Sequence, residues 1–183
     1  MATVKVLFIG NSYLYYNDLP RVIEALAASS GITLITGIVA GGGFPLERHI
    51  ELGNVQPAIE GREPSTKWTS SKRVVRVPTI SDSWDWVVLQ EQSLRPLEDP
   101  EKLFDSAKSI ASAVISIGAK PVLLATWARQ NAPESQPHLT RAITDAANRV
   151  GAAVVLAGDA WQTAIRQGFV LHNDDGSHPN PSG

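Results

Sequence analysis

The chain has 183 residues, of which 43% are hydrophobic and 19% charged, with a formal net charge of -2 and no cysteine. Ordinary globular usage at this length predicts one domain over residues 1–183, able to bury roughly 70% of the surface its unfolded chain exposes. Near-neutral charge without a basic run excludes an electrostatic footprint for nucleic acid or an acidic membrane, and the lack of cysteine excludes disulfides, thiol catalysis and cysteine-held zinc.

The N-terminus lacks a basic region followed by a long apolar core, so it does not read as a signal peptide. No run approaches the roughly 18 apolar residues of a membrane helix. A cytoplasmic protein is the expectation from the sequence as given, with a secreted form carrying an upstream leader left open.

Residues 4–9 form a β-branched-rich run that is apolar except for Lys5, the pattern of a strand buried on both faces in a parallel sheet. Gly10-Asn11-Ser12 follows as a polar turn. Asp18 is placed to cap a helix presenting Leu19, Val22, Ile23 and Leu26 on one face, with Pro20 in its first turn and Gly31 at its end. A second strand is expected over 32–39, then Gly41-Gly42-Gly43 and a helix opening near Pro45. The stretch 50–83 holds Pro57, Gly61, Pro64 and Pro78 and reads as an irregular insertion with one strand-like piece at 73–77. A strand over 86–89 leads into Gln90-Glu91-Gln92-Ser93. Asp99-Pro100-Glu101 opens a helix whose Leu103, Ala107, Ile110, Val114 and Ile117 keep helical spacing up to Gly118. Strands over 121–125 and 152–157 flank a helix from about 134 to 150 with Leu139, Ile143 and Ala147 inward, and a short helix follows Asp159. This alternation predicts a three-layer α/β/α sandwich on a mostly parallel five-stranded sheet, flavodoxin-like in plan. Ligands bind such folds at the carboxyl ends of the strands. Ser12, Gly41 to Gly43, Gln90 to Ser93 and Trp127 all fall just after predicted strands, so four segments should meet at one rim.

Ser12, at a turn that Gly10 allows to bend sharply, can place its hydroxyl beside backbone N–H groups that would face a developing oxyanion. Its partner lies at the other end of the chain. In Asp175-Gly176-Ser177-His178-Pro179 a tight turn lets the Asp175 carboxylate fold back to hold the His178 Nδ1–H while Nε2 faces the serine. Asp174 is the rival carboxylate, read as solvent-facing. His172, Asp174, Asp175 and His178 could together suggest a metal cluster, but no outside pair of ligands completes a signature, and neither metal nor cofactor is expected. The triple glycine lacks the residues of a phosphate cradle and is better explained by close approach of backbone to a small oxyanion, through Gly42 or, as second choice, Gly43. Trp127 either floors a substrate pocket or packs. His49 and His138 read as satisfied helix or loop residues, and His172 as a support for the last loop.

On these residues the chain resembles the SGNH, or GDSL-like, hydrolase superfamily: Gly10-Asn11-Ser12 is similar to its nucleophile block, Gly41-Gly42-Gly43 to its second block and Asp175-Gly176-Ser177-His178-Pro179 to its last. The resemblance implies a serine esterase with Ser12, His178 and Asp175 as its triad. Its oxyanion hole would be built from the N–H groups of Ser12 and Gly42 and a third-block amide. Two departures stand out. Gly-Asp-Ser is here Gly-Asn-Ser, and the usual Gly-x-Asn-Asp is replaced by Gln90-Glu91-Gln92-Ser93, where Gln92, or as second choice Gln90, would supply the amide. The other glutamine would brace it, and Glu91 would make a structural bond to backbone or to an arginine. Asn11 and Trp127 are the expected substrate contacts. The substrate class the resemblance implies is a small acyl ester, above all O-acetyl on carbohydrate, with acyl transfer or non-catalytic carbohydrate binding as alternatives. It also implies a closing helix starting near Pro181 or Ser182.

Overall fold

The computed structural model describes residues 3–65, 72–80 and 82–183. Six strands, β1 (Thr3–Gly10), β2 (Thr33–Gly41), β3 (Arg73–Arg76), β4 (Trp86–Leu89), β5 (Lys120–Leu124) and β6 (Ala153–Val155), form one sheet in the order β3-β2-β1-β4-β5-β6. Five run parallel as expected, and β3 adds a sixth, antiparallel to the outer edge of β2 from Ile38 to Gly41. The strand-like piece inside the expected insertion is therefore part of the sheet. By pairing with β2 it satisfies backbone groups that an edge strand would leave open.

The helices are α1 (Ser12–Tyr15), α2 (Leu19–Ser29), α3 (Leu46–Glu51), α4 (Val55–Ile59), α5 (Arg95–Glu98), α6 (Pro100–Ser116), α7 (Gln136–Val150) and α8 (Ala157–Arg166). Because successive strand residues point to opposite faces, the apolar runs divide between two cores. Leu7, Ile9, Val39, Val87, Leu89 and Leu123 pack with Leu103, Ala107, Ile110 and Val114 of α6 and Ile143 and Ala147 of α7. Phe8, Ile38, Val88, Val122 and Leu124 pack on the other face with Leu14, Leu19 and Ile23. Helix α6 forms where its signals lie: the Asp99 carboxylate accepts from the Lys102 N–H at 3.0 Å, and Pro100 occupies the first turn, where its missing N–H costs nothing. Ile110, 1% exposed on its inward stripe, would cost about 2–5 kcal/mol if cut to alanine.

Two expectations are corrected. Asp18 precedes α2 but does not cap it. It lies in the left-handed region at φ 49°, and its carboxylate is drawn to Arg76 on β3 at 3.2 Å. Within 50–83, α4 is ordered and buries Ala58 and Ile59 in the larger core, with the Trp84 indole N–H on the Ala58 carbonyl at 3.0 Å; residues 66–71 and 81 lie outside the described residues. At the C-terminal end, residues 180–183 form a turn in which Asn180 Oδ1 accepts from the Ser182 N–H. Gly183 lines an open apolar groove of about 620 Å³ between α2, the sheet and α8.

Candidate active site

β1 ends at Gly10, which cannot be larger: a Cβ there would sit 2.7 Å from Gln90 Oε1 and 2.8 Å from the Gln90 carbonyl. That close approach lets the chain turn at once into α1, with Asn11 as its N-cap accepting from the Tyr13 N–H at 3.2 Å. Ser12 occupies the first helical position, and its own N–H has no protein acceptor among the described residues.

From the opposite end of the chain, His178 places Nε2 at 2.8 Å from Ser12 Oγ, and its Nδ1 lies 2.5 Å from Asp175 Oδ2. With the Nδ1–H donated to the carboxylate, Nε2 is left to accept the serine hydroxyl proton. The other Asp175 oxygen accepts from the backbone N–H groups of Ser177 and His178, each at 2.9 Å. Burial alone would push this carboxyl up, but these hydrogen bonds and the facing imidazole win and hold it at about 2. Asp174 is exposed and turned into its own Asn173 turn. Among the described residues no cluster of three acidic or imidazole groups could hold a metal ion.

The His178 loop is fastened on several sides. Tyr16 stacks on the imidazole at 4.0 Å, the Tyr13 hydroxyl meets Ser177 Oγ at 2.6 Å, and the Gln130 N–H donates to the Gly176 carbonyl at 2.8 Å. Trp127 lies here too, packed in an aromatic stack and also lining the apolar groove. It is 7% exposed, sandwiched between Tyr13 at 4.8 Å and Trp161 at 4.0 Å, and donates its indole N–H to the Ser177 carbonyl at 2.9 Å. His172 supports the same loop through the Ala128 carbonyl at 3.0 Å, and His138 is exposed on α7.

The chain superposes on several solved structures. It covers 99% of its length and 92% of the other's with a Slackia heliotrinireducens protein provisionally named an SGNH hydrolase, at TM-score 0.71 and 24% identity. A DUF4886 family protein of Bacteroides uniformis matches at TM-score 0.67 and 25% identity, covering 98% of this chain and 77% of that one. An acetylxylan esterase of Geobacillus stearothermophilus, in a catalytic-mutant form, matches at 0.63 and 13%, covering 98% and 88%. The chain has the SGNH-hydrolase fold. No protein-family model and no curated protein sequence matches it.

Within this SGNH fold the second and third segments arrive at Ser12 differently from expectation. The Gly42 N–H, the favoured oxyanion donor, is already given to the Lys72 carbonyl at 2.9 Å, because β3 pairs alongside. Gly43 instead turns at φ +71°, a conformation that suits only glycine at low cost, and its N–H has no protein acceptor among the described residues. Gln90 is fully buried, accepting from the Asn11 N–H at 2.9 Å and donating to the Glu91 carbonyl. It is a brace. Gln92 is half-buried, and its Oε1 is fixed by the Leu94 and Arg95 N–H groups at 2.8 and 3.0 Å. That orientation leaves its NH₂ without a protein acceptor among the described residues.

Asn11, expected to touch substrate, is 3% exposed and fully engaged: besides its cap and its bond to Gln90, its amide donates to the Phe44 carbonyl at 3.0 Å. An aspartate could not make that last bond, which gives the Gly-Asn-Ser departure a physical reason. Glu91, 4% exposed, accepts from the Leu46 N–H at 3.2 Å and the Gln92 N–H at 2.6 Å, tying the second segment to the third. Burial pushes its carboxyl up to about 7 against the pull of those two N–H groups.

One positioning residue carried no sequence signal. His49 on α3 is fully buried, with Nε2 on the Gly10 carbonyl at 2.7 Å and the Asn54 amide 3.5 Å from Nδ1. Burial outweighs the Gly10 bond and holds its pKa down at about 4, so the ring is neutral and donates from Nε2. A lone histidine six residues beyond the glycines reads from sequence as a satisfied helix residue. Only the fold brings it under the turn that carries Ser12.

Proposed function

We propose that the protein is a serine esterase acting on small acyl esters, with O-acetyl groups on carbohydrate as the first substrate class. The observation that carries this is the unbroken relay from Ser12 Oγ through His178 to Asp175, at 2.8 and 2.5 Å. Two neighbours of the same fold bear the name acetyl xylan esterase, at 14% and 13% identity, and they support the choice of acyl group by analogy.

Ser12 Oγ attacks the ester carbonyl while His178 Nε2 takes its proton. Asp175 holds the imidazole in the right tautomer and stabilises its charged form. The tetrahedral oxyanion is met by the N–H groups of Ser12 and Gly43 and the NH₂ of Gln92, three donors without an acceptor among the described residues. His178 then returns the proton to the leaving alcohol as the C–O bond breaks, leaving an acyl-Ser12. Water, deprotonated by the same imidazole, attacks this ester and releases the acid and free Ser12.

Steady-state hydrolysis of 4-nitrophenyl acetate by wild type and Ser12→Ala tests the proposal. A fall of about 10⁴-fold or more is expected; a variant that keeps wild-type activity overturns it.

A further inference from the structure

We infer that Arg129 is an anion-binding residue at the rim of this site, so that the preferred esters carry a carboxylate or similar single anionic group close to the scissile bond. This rests on Ser12 acting as the nucleophile, and it narrows the substrate class.

Arg129 follows β5 on the loop that also carries Trp127 and Gln130. Its place is fixed from two sides. Nη2 reaches Ser93 Oγ at 3.3 Å, next to Gln92, while the neighbouring Gln130 N–H holds the Gly176 carbonyl at 2.8 Å, two residues before His178. The guanidinium is thus held beside the loop offering an oxyanion donor, and the backbone next to it is tied to the loop carrying the base.

Its charge is uncompensated. Of the ten arginines, six pair with a carboxylate within 4.0 Å: Arg21, Arg48, Arg62, Arg76, Arg95 and Arg149. Arg73, Arg141 and Arg166 have no such pair among the described residues but are exposed, where water serves the charge. Arg129 alone is half-buried and unpaired among the described residues, and its Nε–H is buried with no acceptor. The carboxylates on the two neighbouring segments are engaged elsewhere: Asp175 with His178 and Ser177, and Glu91 with Leu46 and Gln92. A partly desolvated guanidinium without a counter-ion is costly to fold around. Nη1, which has no acceptor among the described residues and is not buried, is free to donate to an anion, and a guanidinium–carboxylate contact of this kind is charge-assisted.

The test compares matched esters, 4-nitrophenyl acetate against 4-nitrophenyl hemisuccinate and phenyl acetate against 3-carboxyphenyl acetate, in wild type, Arg129→Gln and Arg129→Lys. The ratio of kcat/KM for the anionic over the neutral ester should fall about tenfold or more in Arg129→Gln for at least one pair, mainly through KM, and partly recover in Arg129→Lys. If the ratio is unchanged for both pairs, the inference is wrong, even where absolute rates drop together. Should Arg129→Gln fail to fold, the wild-type ratio measured from 20 to 500 mM NaCl decides, because screening must lower it if Arg129 binds the anion and leave it flat if not. Ser12→Ala on the neutral esters keeps the two ideas apart: activity that persists there sinks the esterase, whereas a flat ratio with Ser12-dependent turnover sinks only the role of Arg129.

Discussion

Glu91→Gln should make the protein more stable at alkaline pH and remove a specific pH dependence. In the native state burial raises this carboxyl from the ordinary 4.5 to about 7, so the folded protein holds a proton that the unfolded chain releases. Stability from this group is therefore fullest below pH 4.5, falls as pH rises towards 7, and levels off above. At about 1.4 kcal/mol per pH unit the full loss is about 3 kcal/mol, and about 2.5 kcal/mol of it falls between pH 5 and 8. Glutamine keeps an oxygen for the Leu46 and Gln92 N–H groups but never ionises. Urea unfolding of both proteins at pH 5, 6, 7 and 8 gives the difference directly, and groups common to both cancel. The advantage of Glu91→Gln should grow by about 2–3 kcal/mol across that range. A difference that stays constant, or shrinks as pH rises, would refute the claim that the buried carboxylate is held at a cost.

His49 predicts the opposite slope: depressed from 6.5 to about 4, it contributes stability that is complete above pH 6.5 and lost on acidification towards 4, so wild type should lose about 2.5 kcal/mol relative to His49→Gln between pH 7 and 4.5 in urea titrations. Gln92→Ala should lower kcat about 10²–10³-fold by removing an oxyanion donor, and about 1 kcal/mol of stability because its carbonyl group holds two N–H groups at the start of α5; kinetics and unfolding on one preparation check both. Asp175→Asn should leave the fold intact by circular dichroism yet cut kcat about 10⁴-fold, since an amide favours the wrong imidazole tautomer. Asn11→Asp sets a carboxylate against the Phe44 carbonyl and should cost about 1–3 kcal/mol in thermal or urea unfolding.

Most of the scaffold was legible because its signals are local. Predominantly apolar, β-branched-rich runs mark the buried parallel strands, and Asp99-Pro100 opens α6 where its side-chain chemistry dictates. Asp18 shows the limit: a residue with the right chemistry for a cap was claimed by Arg76, 58 positions away. In the same way β3 was visible as a strand-like piece, but its partner was not, and that partnership is what occupies the Gly42 N–H and passes the available donor to Gly43. The relay itself was readable since Asp175 and His178 are joined by one tight turn. The tasks of Asn11, Trp127 and His49 were not, because each is set by a hydrogen bond to a distant backbone group. Polar side chains near a nucleophile look alike in sequence whether they face substrate or brace the backbone that holds it.

The nucleophile can be seen directly by treating the protein with a fluorophosphonate and mapping the modified peptide by mass spectrometry. One phosphonyl group on Ser12 is expected, with labelling lost in Ser12→Ala and slowed by orders of magnitude in a His178→Ala variant. Label found on another serine, or none on a folded protein that still hydrolyses 4-nitrophenyl acetate, would contradict the Ser12–His178–Asp175 relay.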